Sequence, residues 1–140
     1  MTILCYHSVE PDWESPLAME PDAFAWEAAW LRRSRRVLPV SAALPRLDAR
    51  GALPRGETVL TFDDGFAGVY QHAFPVLLRE RLAATMFLVA QTLTPEGRAV
   101  DWVDDPPPES RLRCAGLRVG AIAMVLSGGK LRSFCMKRRD

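Results

Sequence analysis

Short apolar segments alternate with longer amphipathic ones along residues 2–89 of the chain. Four apolar runs have the length of β-strands, and they cover residues 2–6, 37–40, 58–62 and 84–89. The segments between these runs have the periodicity of helices. Strands that alternate with helices predict an α/β protein built from parallel βα units with right-handed crossovers.

The first helical pattern begins near Asp22, which is suited to cap a helix. Phe24, Ala28 and Leu31 recur in it at i, i+4 and i+7 and predict its buried side. Its C-terminal end carries a cluster of arginines, where positive charge suits the helix dipole: Arg32, Arg33, Arg35 and Arg36. Acidic residues share the same segment, so the cluster indicates a solvated helix end, and we expect no nucleic-acid partner.

Two further helices are predicted between the later strands. Ser41 is suited to cap the first of them, with Leu44 and Leu47 as its buried side. The second covers residues 65–82, and its residues expected to be buried are Val69, Phe74, Leu77 and Leu78. It contains Pro75, which should kink the helix or mark where its regular part starts.

The pattern changes after residue 91. Residues 97–110 include three consecutive prolines and predict a loop. Residues 1–110 carry ten arginines and sixteen acids, a net charge of −6, whereas residues 111–140 carry eight bases and one acid, a net charge of +7. We therefore expect an irregular basic tail from residue 106, in which only residues 112–126 have the apolar character of a helix.

Composition excludes several classes of protein. Cys5, Cys114 and Cys135 are too widely spaced to suggest a zinc ribbon or a disulfide framework, and Cys5 is most simply a small buried residue. The N-terminus lacks the basic and apolar regions of a signal peptide. No segment approaches the ~18 consecutive apolar residues of a membrane span. We expect a cytoplasmic protein that does not cross a membrane.

Candidate chemistry lies in Thr61-Phe62-Asp63-Asp64-Gly65, at the end of the third predicted strand. Because side chains alternate along a strand, Asp63 should share a face with Thr61, and a sharp turn at Gly65 would bring Asp64 toward the same cleft. His7 follows the first strand and is a candidate for lining that cleft. Adjacent carboxylates at a strand end indicate a bound cation, a shared proton or full solvation, and the local sequence does not choose among them.

Five segments together resemble the first half of a known family. They are Leu4-Cys5-Tyr6-His7-Ser8-Val9, Val37-Leu38-Pro39-Val40, Leu60-Thr61-Phe62-Asp63-Asp64-Gly65-Phe66, Ala73-Phe74-Pro75-Val76-Leu77-Leu78 and Ala84-Thr85-Met86-Phe87-Leu88. Their order and spacing are similar to those of the polysaccharide deacetylases, also called the NodB-homology or carbohydrate esterase family 4 domain. The resemblance covers residues 1–105 and leaves residues 106–140 as a non-matching basic tail.

The resemblance implies both a fold and an activity. The fold would be the N-terminal part, about four βα units, of a distorted (β/α)7 TIM-like barrel. The activity would be metal-dependent removal of acetyl groups from an acetylated polysaccharide or oligosaccharide. By position, Asp63 matches the general base of the family and Asp64 matches its carboxylate metal ligand. The cofactor would be a divalent metal, with zinc as the expected ion.

The family completes its metal site with two histidines in a motif after the fourth strand. This chain has only His7 and His72, and neither fits that motif. We hypothesise that a frameshift near residue 110 replaced the second half of the domain. Reading the coding DNA in the other two frames tests this, since the absence of a histidine metal motif in both would exclude it.

We therefore expect the N-terminal part of a polysaccharide deacetylase-like hydrolase with an incomplete metal site. The alternative is a non-catalytic fragment or carbohydrate-binding remnant of the same family. Four βα units leave parallel sheet edges open, so we also expect self-association through those edges.

Overall fold

A computed structural model describes residues 2–88 in full and the backbone of two strands further along the chain. The strands are β1 (Thr2–Tyr6), β2 (Ser8–Val9), β3 (Ala18–Met19), β4 (Arg36–Leu38), β5 (Glu57–Phe62), β6 (Ala84–Phe87), β7 (Ile122–Ser127) and β8 (Lys130–Cys135). The helices are α1 (Pro21–Ser34), α2 (Val40–Arg50) and α3 (Phe74–Glu80), and a π-helical turn (Val69–Ala73) leads into α3. The four predicted strands are present, with ends that differ by a few residues.

Strand β5 is the centre of the main sheet, and three parallel strands pair with it. All of β1 pairs with β5, from Thr2 opposite Thr58 to Tyr6 opposite Phe62. β4 pairs with the first half of β5, and β6 pairs with the second half of β5. The prediction of parallel βα units is thereby confirmed for residues 2–88. A mixed α/β architecture is what the structure shows, and closure into a barrel stays a prediction.

The two faces of β5 pack against different helices. Leu60 and Phe62 lie in a core with Phe24 of α1 and Leu77 of α3. Val59, on the opposite face, packs against Ala43 of α2. Every residue of β5 is buried, as expected for a central strand covered on both faces.

Helix α1 buries the side that the sequence predicts, since Phe24, Ala28 and Leu31 are all buried. The predicted cap is wrong. The helix begins at Pro21 after Glu20, and Asp22 lies in the first turn, where its charge favours the positive end of the helix. Proline at the first helical position already has a fixed φ and no N–H to satisfy.

Helix α2 also begins two residues earlier than predicted, since its N-cap is Pro39 and not Ser41, and no side chain caps it. Its buried residue is Ala43, whereas Leu44 is 47% exposed. Helix α2 covers only part of the sheet face that carries Val59, and Leu44 and Leu47 of the helix border a cavity there.

The segment after β5 is less regular than a single helix over residues 65–82. A π-helical turn precedes α3, and the N–H of Phe74 bonds to the carbonyl of Val69. Pro75 lies in the first turn of α3, where its missing N–H interrupts the ladder that would join the two segments. The expectation that Pro75 marks the start of the regular helix is confirmed, but Leu78, expected to be buried, is exposed.

The predicted irregular tail contains two strands in the part that the structure describes. β7 pairs antiparallel with β6 and with β8. The helix expected over residues 112–126 is therefore wrong for its last part, and residues 112–121 lie outside the described residues. Only two residues, Gly128 and Gly129, separate the strands, and glycine pairs favour tight hairpins over helices. β7 also covers the edge of β6 that the sequence suggested would be open.

No helix within residues 2–88 combines the length and apolar character needed to cross a bilayer.

Candidate functional site

The carboxyl ends of β1 and β5 lie side by side and bring two polar segments together. The N–H of Asp63 donates to the carbonyl of Tyr6 at 2.8 Å, which ties the chain after β5 to the end of β1. Parallel strands place their carboxyl ends at one edge of a sheet, and reactive groups collect there in α/β proteins. His7 and Asp64 follow directly at this edge.

A tight turn orients the two carboxylates. Asp64 has φ of 66° and Gly65 has φ of 75°, so both lie in the left-handed region. The N–H of Gly65 donates to the carbonyl of Asp63 at 2.8 Å and closes the turn. Asp is among the few non-glycine residues that tolerate this conformation. Asp63 and Asp64 consequently line one cavity, as the strand alternation and the glycine turn predict.

His7 lies beside the second carboxylate. Its Nε2 is 4.0 Å from Oδ2 of Asp64, and both side chains are partly exposed. Partial burial raises the pKa of the Asp64 carboxyl, the neighbouring His7 opposes that rise, and the charge of Asp63 adds to it. The structure thus places His7 beside Asp64, whereas the residues that line the cavity do not include it. That His7 lines the cleft stays a prediction.

Cys5 is a polar neighbour that the sequence did not predict. It is exposed, so the expectation of a buried apolar residue is wrong. Its Sγ donates to Oδ2 of Asp63 at 3.2 Å. Partial desolvation and this hydrogen bond raise the pKa of the thiol. The sequence carried no signal for this contact, because it follows from the register that pairs Cys5 with Thr61, and sequence periodicity does not give the register of two strands.

The two aspartates open onto a cavity of about 590 Å³. Beside Asp63 and Asp64 its lining includes two other side chains with polar atoms, Cys5 and Thr61. The remaining lining is apolar and comes from β1, β5, α2 and the end of β6: Ile3, Val40, Ala43, Leu44, Leu47, Val59, Phe87 and Leu88. A concave, mainly apolar site with a few convergent polar groups is the usual form of a small-molecule site.

Metal ligation is only partly provided within residues 2–88. Those residues contain no group of three or more His, Cys, Asp or Glu side chains arranged to hold a metal. Asp64 and His7 offer a carboxylate and an imidazole, which are donor types that zinc accepts. A catalytic zinc ordinarily takes three protein ligands, so these two do not by themselves fit one.

A family model described as polysaccharide deacetylase matches residues 50–120, just over half of the chain. The chain belongs to this family. It is 30% identical over 96 residues to YxkH of Bacillus subtilis (strain 168), whose name describes it as a polysaccharide deacetylase, and that match covers 66% of this chain and 33% of YxkH. The resemblance drawn from the sequence segments is confirmed.

Solved deacetylase structures are similar to the chain as well. IcaB from Ammonifex degensii is 35% identical, with a TM-score of 0.61, over 71% of this chain and 41% of IcaB. A de-N-acetylase from Aggregatibacter actinomycetemcomitans is 24% identical with a TM-score of 0.61, and it supports the fold alone. The chain thus spans about a third of the curated relative and less than half of these solved structures.

Proposed function

We propose that this chain is a polysaccharide deacetylase-like hydrolase that removes acetyl groups from an acetylated polysaccharide or oligosaccharide. The observation that carries the proposal is the pair Asp63 and Asp64, which line one cavity at the carboxyl end of β5. Family membership supports the reaction class, and the name of YxkH agrees with it.

Asp63 is the residue we assign as general base. It would accept a proton from water as the water oxygen bonds to the acetyl carbonyl carbon. The bond from that carbon to the sugar nitrogen or oxygen then breaks, and the proton passes to the leaving atom. Acetate and a free amine or hydroxyl are the products. The thiol of Cys5 donates to Asp63 and fixes the orientation of the carboxylate.

Metal dependence is part of the proposal, with Asp64 as a ligand and zinc as the expected ion. A bound divalent cation supplies a lowered water pKa and polarisation of the carbonyl. Because Asp64 and His7 do not complete a site, the remaining ligands would have to come from outside residues 2–88.

The second candidate function is a non-catalytic, carbohydrate-binding remnant of the family. It is favoured by the lack of a three-donor group within residues 2–88. The two candidates differ in turnover, since a remnant would bind an acetylated glycan without releasing acetate.

The test is acetate release from an acetylated chitooligosaccharide, with and without a chelator. We expect Asp63→Asn to lower kcat by about 10²- to 10⁴-fold, the usual contribution of a general base. Asp48→Asn, a change at an exposed position of α2, is the matched control and should leave the rate unchanged. Chelator should abolish the activity and added zinc should restore it. Acetate release that survives Asp63→Asn would contradict the assignment, and glycan binding without turnover would favour the remnant.

A further inference from the structure

Two buried segments pack against each other next to the turn of residues 63–65, which carries the aspartates. One is residues 8–13, which begin with β2, and the other is residues 65–69, which lead from the aspartates into the π-helical turn. Residues 65–69 are all buried, and so are Ser8, Val9 and Trp13. Every contact between these two segments that is used below joins residues that the structure describes.

Gly68 is a point where the two backbones approach too closely for a side chain. Its φ of −59° and ψ of −26° are ordinary helical values, so its conformation does not require glycine. The space around it does. A Cβ atom at this position would overlap the carbonyl oxygen of Val9 and the carboxylate of Glu10. Because the carbonyl belongs to the backbone, an added methyl group would force a shift on the order of 1 Å.

A ring pair forms the second contact between the same segments. Phe66 directly follows the turn, and the centroid of its ring lies 5.4 Å from that of Trp13. Both side chains are buried. Aromatic pairs at this separation stabilise a structure beyond the area that they bury. The chain that follows the aspartates is therefore held against residues 8–13 at two places, Phe66 and Gly68.

The turn is the part around these contacts that is least constrained. Val9 is held in β2, because the N–H groups of both its neighbours donate to carbonyls of residues 17–19. Val69, which follows Gly68, lies in the main core. Asp63 and Asp64 are only partly buried. A shift imposed at Gly68 would consequently be taken up by the turn, and it would move the two carboxylates relative to β1.

We propose that Gly68 is a positioning residue, which sets the place of the aspartate turn by letting the backbone pass directly against the carbonyl of Val9. The inference rests on the proposed hydrolase for its effect on the reaction, whereas the contact itself is independent of any reaction. Gly68 acts through Asp63, the assigned general base. Misplacement of a catalytic group by about 1 Å is enough to lower a rate about 10²-fold.

The experiment measures Gly68→Ala in the full chain by hydrogen exchange and by acetate release. The N–H of Asp63 donates to Tyr6 and the N–H of Gly65 donates to Asp63, so the exchange of these amides reports the turn directly. We expect them to exchange about tenfold faster, relative to the amides of α1, than in the wild type. For acetate release we expect kcat to fall about 10- to 100-fold. KM should change less than about twofold, since the variant alters no side chain that lines the cavity.

Gly51→Ala is the matched control, because it makes the same substitution away from the turn. Gly51 ends α2 with φ of 67°, and a Cβ atom there would meet no atom within 4 Å. Alanine is strained in that conformation, so the control should lower the urea midpoint without disturbing the turn. Phe66→Leu is a second test variant, which removes the ring pair with Trp13 and adds no atom at Gly68. It should accelerate exchange in the turn in the same direction, and it provides the result where Gly68→Ala does not fold.

The outcomes separate this inference from the proposed function. Faster exchange confined to the turn in a test variant, and absent from Gly51→Ala, supports the positioning role even where the wild type releases no acetate and the hydrolase itself fails. Acetate release by Gly68→Ala at the wild-type kcat, with unchanged exchange in the turn, overturns the role and leaves the hydrolase in place. Exchange that rises equally in the turn and in α1 also overturns it, because Gly68 then contributes only to overall stability.

Discussion

Tyr6 illustrates the cost of a buried polar atom. Its ring packs against Phe24 and Phe62, with centroid distances of 5.5 and 5.2 Å, but its hydroxyl is buried without a hydrogen bond of ordinary geometry. Burial raises the pKa of this phenol well above its usual value of 10.0, and the nearby Glu27 carboxylate adds to the rise. The hydroxyl thus stays protonated in the fold where it would ionise in the unfolded chain.

We expect Tyr6→Phe to change the free energy of unfolding near neutral pH by less than about 1 kcal/mol, since the hydroxyl it removes has Glu27 as a polar neighbour but no hydrogen bond of ordinary geometry. Above pH 10 the unfolded wild-type chain loses the Tyr6 proton and the folded chain keeps it. Wild-type stability should therefore fall as pH rises, and the variant should lose this part of the fall. Urea denaturation at several pH values measures both effects. A large loss of stability near pH 7 in the variant would show that the hydroxyl has a stabilising partner.

For single residues, the sequence predicted the positions of Asp63 and Asp64 but not the contact that Cys5 makes with Asp63. Strand alternation and one glycine were enough to predict that Asp63 and Asp64 share a cleft. The contact between Cys5 and Asp63 depends on which strands are adjacent, and sequence periodicity does not supply that. The register of β1 on β5 does. Cys5, within the apolar run of β1, was predicted to be a core residue, but it is exposed in the structure.

At the scale of whole elements, the start of β5 is held to α2 through a buried charge. Glu57 is 7% exposed and contacts two arginines, Arg46 of α2 and Arg36 of β4, the latter at 3.4 Å. Arg46 is the closer partner and the less exposed one. A buried carboxylate that loses its main partner keeps its desolvation cost.

Arg46→Met should lower the free energy of unfolding by about 3 kcal/mol, the usual loss on removing one partner of a buried ion pair. Arg79→Met is the matched control, because Arg79 bonds to Glu80 at 2.9 Å with its own side chain 60% exposed. Its removal should cost less than about 1 kcal/mol. Chemical denaturation compares the two variants. Equal losses would mean that Glu57 is satisfied without Arg46.

Helices and strands were predicted correctly where a single sequence signal determined them. β5 and the buried side of α1 followed from apolar spacing, and Pro75 marked the start of α3 through its missing N–H. The predicted buried sides of α2 and α3 were partly wrong. Leu44 and Leu78 fit a helical stripe, yet they are 47% and 41% exposed, whereas their neighbours Ala43 and Leu77 are buried. β7 and β8 were not predicted, because a short apolar run such as that of β7 fits a helix as well as it fits a strand.

For the molecule as a whole, the outer edge of β1 is the feature that bears on self-association. Within the described residues β1 pairs only with β5, so its other edge has backbone N–H and C=O groups without strand partners. Ile3 lies on this strand and is 45% exposed. An exposed edge strand with an apolar side chain is a template for pairing with another chain. The edge of β6, by contrast, is covered by β7.

We therefore predict that the chain self-associates through β1. Sedimentation velocity over a range of concentrations should show dimers or larger species for the wild type. Ile3→Lys places a charge on the edge, the means by which natural edge strands avoid pairing, and should shift the population toward monomer. Leu78→Lys introduces the same charge at a similarly exposed apolar position on α3 and should leave the association unchanged. A wild type that sediments as a monomer at every concentration, with a sharp transition at high temperature, would instead mean that the edge of β1 is covered within the same chain.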